Sequence, residues 1–410
     1  MSGEGAVHGP WLSIVGIGED GVEGLSPAAR ARVEAAELVF GGARHLALAA
    51  PLIRGAARPW PSPFSVDEVL AARGRKVCVL ASGDPFLHGV GGTLARAVPA
   101  DEMTVLPAPS AFSLAAARLG WALQDVGQVS LHGKPVGRLR PHLQDGARIL
   151  ALTSDENGPA EIEQMLTNFG CGASTLAVLE ALGGPAERER TARADAFHLT
   201  DVAPLNLVAI TVRAATGAPL VPLACGFPDD LFEHDGQITK REIRALTLSA
   251  LAPRRGELLW DIGGGSGSVS IEWLLCDPSR AAIAIEKDPV RAQRMAGNAA
   301  RLGVPHLQVV EGAAPQVLSG LPPPDVIFIG GGGSRGRLLD VALAALKPGG
   351  RLVANAVTLQ TEALLISAHG RLGGDLVRIA LSRAAPVAGL TGWRSAMPVT
   401  QWRYVKKEGA

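Results

Sequence analysis

Short apolar runs recur along the chain, and most of them end on glycine, proline or an acid. Trp11-Leu-Ser-Ile-Val-Gly-Ile-Gly18 is one, apolar at nearly every position. A run without polar alternation predicts a strand covered on both faces. Arg75 to Leu80 and Met103 to Leu106 repeat the pattern and lead into Ala81-Ser-Gly-Asp-Pro85 and Pro107-Ala-Pro-Ser110. Helical stretches lie between. Ser26 followed by Pro27 predicts an N-cap and a first helical position, with the helix running on through Val39. Helices are also expected from Gly89 to Arg96 and, alanine-rich, from Ser110 to Leu119. Strand–helix alternation predicts a parallel sheet whose ligand loops sit at the strands' carboxyl ends.

The alternation stops at Ala214 to Pro228, a stretch of Ala, Pro and Gly that reads as a linker. The chain is therefore expected to hold a domain over 10–213, a linker over 214–226 and a second domain over 227–407. In the second domain Thr239 and Glu242 have the spacing of a capping box ahead of a helix to Leu251. Glu257-Leu-Leu-Trp-Asp-Ile-Gly-Gly-Gly-Ser-Gly267 then reads as strand, glycine turn and helix start. Ala281 to Glu286 is an apolar run ending in an acid, and Asp288 caps a helix to Arg301. Strands follow at 307–310, 325–329 and 351–356, with helices to Leu346 and over 359–368. The runs 375–382 and 398–405 are expected to pair as a closing hairpin.

Composition narrows the classes. With 410 residues the chain has room for two or three domains. It carries 39 basic and 39 acidic residues, so no basic field favours nucleic acid. Aromatics are only 4%, which further disfavours base stacking. The nine histidines show no ligand spacing, and no metal is expected. The four cysteines (78, 171, 225, 276) lack any C-x-x-C and read as small apolar core residues in a reducing compartment. No apolar run approaches the ~18 residues of a membrane helix, and the start lacks a signal-peptide core. A soluble cytoplasmic protein is expected.

Two glycine turns carry the chemistry. Gly263, Gly265 and Gly267 alternate directly after Asp261-Ile262, and Glu286 stands 19 residues later (286 − 267). The dinucleotide fingerprint needs a glycine at the sixth position, and that position is Ser268. Gly16-Ile-Gly18-Glu-Asp-Gly21 does match the fingerprint, but the helix is expected to start late, at Ser26, which leaves 22–25 as extra loop. That late start argues against a nicotinamide-dependent oxidoreductase, which stays as an alternative reading. A second alternative is an N-terminal half that only binds a ligand or self-associates.

The N-terminal loops resemble the tetrapyrrole methylases, the class III S-adenosylmethionine (SAM) methyltransferases. The marks are Val15-Gly16-Ile17-Gly18, Gly83-Asp84-Pro85 with Gly89, and Pro107 with Ser110. Leu150 to Glu156, Gly158-Pro159 and Leu205-Asn206 fit that family's second subdomain. Its usual Pro-Gly is replaced here by Glu19-Asp20-Gly21. The C-terminal half resembles the class I SAM methyltransferases, and within them the decarboxylating methyltransferases of cobalamin biosynthesis. Its marks are Pro228-Asp-Asp-Leu-Phe232, Ile238-Thr239, Asp261-Ile-Gly263, Glu311-Gly-Ala-Ala-Pro315, the glycine loop at 331–334 and Ser382-Arg383. Position 264 is glycine where that family often has cysteine, and 313 is alanine where it commonly has aspartate.

The order of the two halves is similar to that of the precorrin-6Y methyltransferase family. The resemblance implies a tetrapyrrole methylase fold of two α/β subdomains, followed by a Rossmann-like doubly wound sheet. It implies one SAM per domain, held by Gly16, Gly18, Gly83, Asp84, Gly89 and Ser110 in the first domain. In the second the implied residues are Thr239, Asp261, Gly263, Gly264, Gly265, Ser266, Gly267, Glu286, Gly312 and Ala313. It implies a small-molecule tetrapyrrole substrate rich in carboxylates, for which Arg383 and Arg394 are candidates in a segment expected to cover the pocket. Carbon 5 methylation is expected of the first domain, and carbon 15 methylation with decarboxylation of the second. Self-association is expected; nucleic acid and membrane partners are not.

Overall fold

The computed structural model describes residues 9–330 and 337–407. The chain divides into two compact units. One consists of the chain up to Val136 together with Gln144–Ala218, the other of Gly137–Leu143 together with the chain from Pro219 onward.

In the first unit, β1 (Leu12–Ile17), β2 (Leu38–Gly41), β3 (Ala56–Pro59), β4 (Val77–Ser82) and β5 (Met103–Leu106) form a parallel sheet ordered β3-β2-β4-β1-β5. Every residue of β1 is buried, as its unbroken apolar run requires. The helix from Pro27 is shorter than expected. It ends at Ala35, with Ser26 Oγ accepting from Ala29 N–H. Ala36 turns extended, and Glu37 N–H donates to Lys76 O at 2.8 Å. Leu38, Val39 and Phe40 are then buried in β2, so sheet pairing overrides the local helical preference. The expected loop over 22–25 contains most of a single 3-10 turn, Gly21–Gly24. β3 is short and exposed at every position, and periodicity does not reveal it.

A second sheet in this unit contains β6 (Gly127–Ser130), β7 (Arg148–Leu152), β8 (Thr175–Glu180), β9 (Arg188–Arg193) and β10 (Asn206–Thr211). Its order is β6-β7-β10-β8-β9, with only β6 and β7 parallel.

The second unit is built on seven strands: β11 (Leu258–Ile262), β12 (Ala281–Glu286), β13 (Gln308–Glu311), β14 (Val326–Ile329), β15 (Arg351–Ala356), β16 (Asp375–Ile379) and, after an inserted pair, β19 (Val399–Val405). The order β13-β12-β11-β14-β15-β19-β16 is parallel through β15, and β19 runs antiparallel to both its neighbours. Alternate residues feed two cores. Leu259, Ala284 and Phe328 pack with Trp273 and Met295 on one face, while Trp260, Ile262 and Ile285 pack with Leu338 and Trp402 on the other.

Three further expectations change here. The closing runs do pair, as β16 with β19, but a separate hairpin is inserted between them: β17 (Ser382–Val387) and β18 (Leu390–Ser395). The capping box does not form. Lys240 is the N-cap of the helix Arg241–Leu251, no side chain caps it, and Glu242 pairs with Arg383 instead. Cys78 and Cys171 are buried as expected, whereas Cys225 and Cys276 are exposed.

Candidate functional site

In the first unit the loops after β1, β4 and β5 interlock through their backbones. Gly83 N–H donates to Ile17 O at 3.2 Å, and Ala108 N–H donates to Gly83 O at 3.1 Å. A Cβ on Gly16 would lie 1.8 Å from Gly83 O and 2.6 Å from Ala108 N. Gly83 itself takes φ +52°, with Pro109 O 2.8 Å from its Cβ position. These two glycines serve loop-to-loop approach, which brings the three loops together. Asp84 Oδ1 accepts from Phe86 N–H at 2.9 Å and so closes its own turn. Ser110 Oγ accepts from Ser113 N–H at 3.1 Å as the N-cap of the helix Ala111–Leu119.

A cleft of about 830 Å³ lies over these loops, within the usual range of small-molecule sites. Gly18, Gly83, Asp84, Gly89 and Ser110 line it, while Gly16 is not on its wall. The second sheet contributes Asn206, and the loops after β6 and β7 contribute Lys134, Thr153 and Ser154. A polar cluster that motif reading missed also faces it. Arg44 pairs with Glu19, its Nη2 donates to Ser82 Oγ at 2.9 Å, and His45 Nε2 lies 2.8 Å from the same hydroxyl. Burial, reinforced by the Arg44 charge, pulls the His45 pKa down to about 4, so the ring is neutral near pH 7. Lys134 follows a turn held by Gly133 N–H on Ser154 Oγ at 2.9 Å. It makes no ion pair among the described residues.

In the second unit the Gly263–Gly267 turn lies where β11 separates β12 from β14, the switch point of the sheet. Gly263, Gly265 and Gly267 have φ of +79°, +57° and +78°. That alternation explains the G-x-G-x-G spacing, since only glycine enters this region without strain. Gly263 and Gly264 donate to Ile285 O at 2.9 and 3.1 Å, and Gly265 N–H donates to Glu286 Oε2 at 3.0 Å. Glu286 also accepts from Asp288 N–H at 3.1 Å through its carboxylate, and its backbone carbonyl accepts from Gly312 N–H at 2.8 Å. Asp261, Gly263–Gly267, Glu286 and Gly312 are thus brought to one end of the sheet, with Ala313 exposed beside Gly312.

Two polar atoms at this site are buried without a protein partner: Asp261 Oδ1 and Ser266 Oγ. The other oxygen of Asp261 accepts from Ser270 Oγ at 2.6 Å. Burial, with a smaller push from Glu286, raises the Asp261 pKa to about 6 against the restraining Ser270 bond. An orphaned buried polar atom costs about 1–3 kcal/mol, and a polar ligand at the turn would remove that cost.

The turn has buried supports that no motif announced. Asn298 Nδ2 donates to Ser266 O and to Glu233 O, both at 2.9 Å. Arg244 and Glu272, both buried, pair at 2.5 Å. Glu272 accepts from Gly226 and Phe227 N–H, and Arg244 donates to Phe227 O and Thr239 O. The segment Pro228–Phe232 is held by this pair, with the Arg244 guanidinium 4.8 Å from the Phe232 ring centre. A signal existed only in hindsight: polar residues at otherwise apolar helix positions. Arg383 lies opposite Arg394 across the β17–β18 hairpin, both are exposed, and Arg383 is engaged by Glu242. The glycine loop at 331–334 lies outside the described residues.

Residues 12–197 match the family model of tetrapyrrole (corrin/porphyrin) methylases, and residues 230–406 match that of the precorrin methyltransferase domain. A Sinorhizobium protein named precorrin-6Y C(5,15)-methyltransferase [decarboxylating] is 59% identical over 405 residues, covering 98% of each chain. The chain belongs to the decarboxylating precorrin-6Y C(5,15)-methyltransferase family. A member of this family from Mycobacterium tuberculosis is 42% identical over 97% of this chain and 100% of its own. A crystal structure of the C-terminal domain of a Rhodobacter capsulatus precorrin-6Y C5,15-methyltransferase is 49% identical over 45% of this chain and 100% of that one, with a TM-score of 0.44. Members of this family are methyltransferases, and SAM is the donor that methyltransferases of this kind use.

Proposed function

We propose that this methyltransferase acts on precorrin-6Y, adding methyl groups at carbons 5 and 15 and removing the carboxyl of the ring C acetate to give precorrin-8. The observation that carries the reading is the 59% identity across 98% of both chains, which spans both halves at once. We assign carbon 5 to the first unit, and carbon 15 with the decarboxylation to the second, with one SAM site in each.

The residues fit the cofactor. In the second unit we assign Glu286, beside the glycine turn, to the ribose hydroxyls, and the unpartnered Asp261 and Ser266 oxygens offer further hydrogen bonds. In the first unit the 830 Å³ cleft has a floor of interlocked loops and polar walls. When bound, SAM supplies an already activated methyl group. The protein's share is then in-line placement and exclusion of water. Precorrin-6Y carries many carboxylates, and Lys134 and Arg44 are the cations on the cleft wall suited to hold one. The electrons left by carbon dioxide enter the substrate's own conjugated imines.

Mass spectrometry after incubation with SAM and precorrin-6Y tests the reading. Two added methyls and one lost carbon dioxide are expected. A product with one methyl, or with the acetate intact, would falsify it.

A further inference from the structure

Cys225 and Cys276 are 51 residues apart in sequence, yet their sulfurs lie 3.4 Å apart. Both are exposed. Their proximity is built into the backbone. Cys276 is the C-cap of the helix Ser268–Leu275. Glu272, one turn earlier on that helix, accepts from Gly226 and Phe227 N–H at 2.6 and 3.0 Å, directly after Cys225. One helical turn thus fixes both cysteines. The contact with the Cys225 sulfur, helped by the Arg280 charge, pulls the Cys276 pKa down to about 6 against burial and the Glu272 charge. The same contact, with burial, pushes the Cys225 thiol up. Either sulfur can donate to the other, and Cys276 Sγ–H also reaches Glu272 O at 3.1 Å, so Cys276 gives up that proton to become the thiolate, the reactive form in disulfide exchange.

We propose that Cys225 and Cys276 form a dithiol modification site, oxidised to an intramolecular disulfide by a low-molecular-weight disulfide. Cys276 loses its proton, and its thiolate attacks one sulfur of the co-reactant, forming a mixed disulfide as the co-reactant's own S–S bond breaks and a first thiolate leaves. Cys225 then loses its proton, and its sulfur attacks the Cys276 sulfur and expels the second thiolate. The two cysteines lose two electrons, and the co-reactant, taking up two protons, leaves as two thiols. The new bond fastens the segment leading into Phe227 to the helix that begins at the Gly263–Gly267 turn. Cys78 and Cys171 stay out of the reaction: both are buried, and burial pushes the Cys78 thiol up to about 12.

The test uses the reduced full-length protein and oxidised glutathione, read by intact mass and peptide mapping. The unsubstituted chain is expected to lose two hydrogens, gain no glutathione, and yield one linked pair of peptides carrying Cys225 and Cys276. Cys225→Ser is expected to stop at one glutathione on Cys276. Four surviving thiols, glutathione retained on either cysteine of the unsubstituted chain, or a link through Cys78 or Cys171 would each overturn the proposal.

Discussion

At the scale of single residues, the two acids of the second unit differ in kind. Both are buried, but Glu286 has its oxygens on backbone N–H groups, whereas Asp261 keeps one oxygen unpartnered. Glu286→Gln removes the charge that suits ribose hydroxyls. It is expected to raise the SAM dissociation constant of this unit by about tenfold, or ~1.4 kcal/mol, measured by calorimetry. Asp261 predicts a pH effect. Unfolded it titrates near 3.8, and folded near 6. Between those values the folded chain holds more protons than the unfolded one, so this group lowers stability as pH rises, by on the order of 3 kcal/mol in all. That loss is absent below the unfolded pKa and complete above about 6. Asp261→Asn should flatten this part of the profile, and urea unfolding at pH 4 and pH 7 compares the two. Glycines also divide. A Cβ at Gly16 meets backbone at 1.8 Å, whereas one at Gly264 meets the movable Met295 Cε at 2.8 Å. Gly16→Ala should therefore cost several kcal/mol and Gly264→Ala under ~1 kcal/mol, by thermal unfolding.

At the scale of elements, the Arg244–Glu272 pair joins the segment 226–232 to two helices. Breaking a buried pair while leaving its partner charged costs about 3–5 kcal/mol. Glu272→Ala also strands two buried N–H groups, so it should sit at the upper end, read as a lowered urea midpoint. The shortened first helix and the missed capping box share one cause. Both local signals were real, but strand pairing at Leu38 and the pairing of Glu242 with the distant Arg383 outweighed them. The β17–β18 hairpin escaped notice because its residues are mostly exposed and carry no period that a core would impose.

At the scale of the whole molecule, the proposed division of labour makes the two activities separable. Lys134→Ala should raise the KM for precorrin-6Y in carbon 5 methylation and leave carbon 15 methylation unchanged, with Lys134→Arg restoring the KM. Glu286→Gln should do the reverse, sparing carbon 5. Product mass spectra with position-specific fragmentation distinguish these outcomes, and equal loss of both methylations in either variant would refute the division.

The motifs that place the chain in its family were all legible as sequence, because positive φ at alternating positions and close loop contact each demand glycine at fixed spacing. Strand order, the orphaned Asp261 and Ser266 oxygens, the cleft walls of Arg44, His45 and Lys134, and the supports Asn298, Arg244 and Glu272 were not. Each depends on residues far apart in the chain meeting in space, and no local pattern records a meeting. The same holds for the two thiols: Cys225 and Cys276 read alone as ordinary small residues, and only the helix turn at Glu272 makes them a pair.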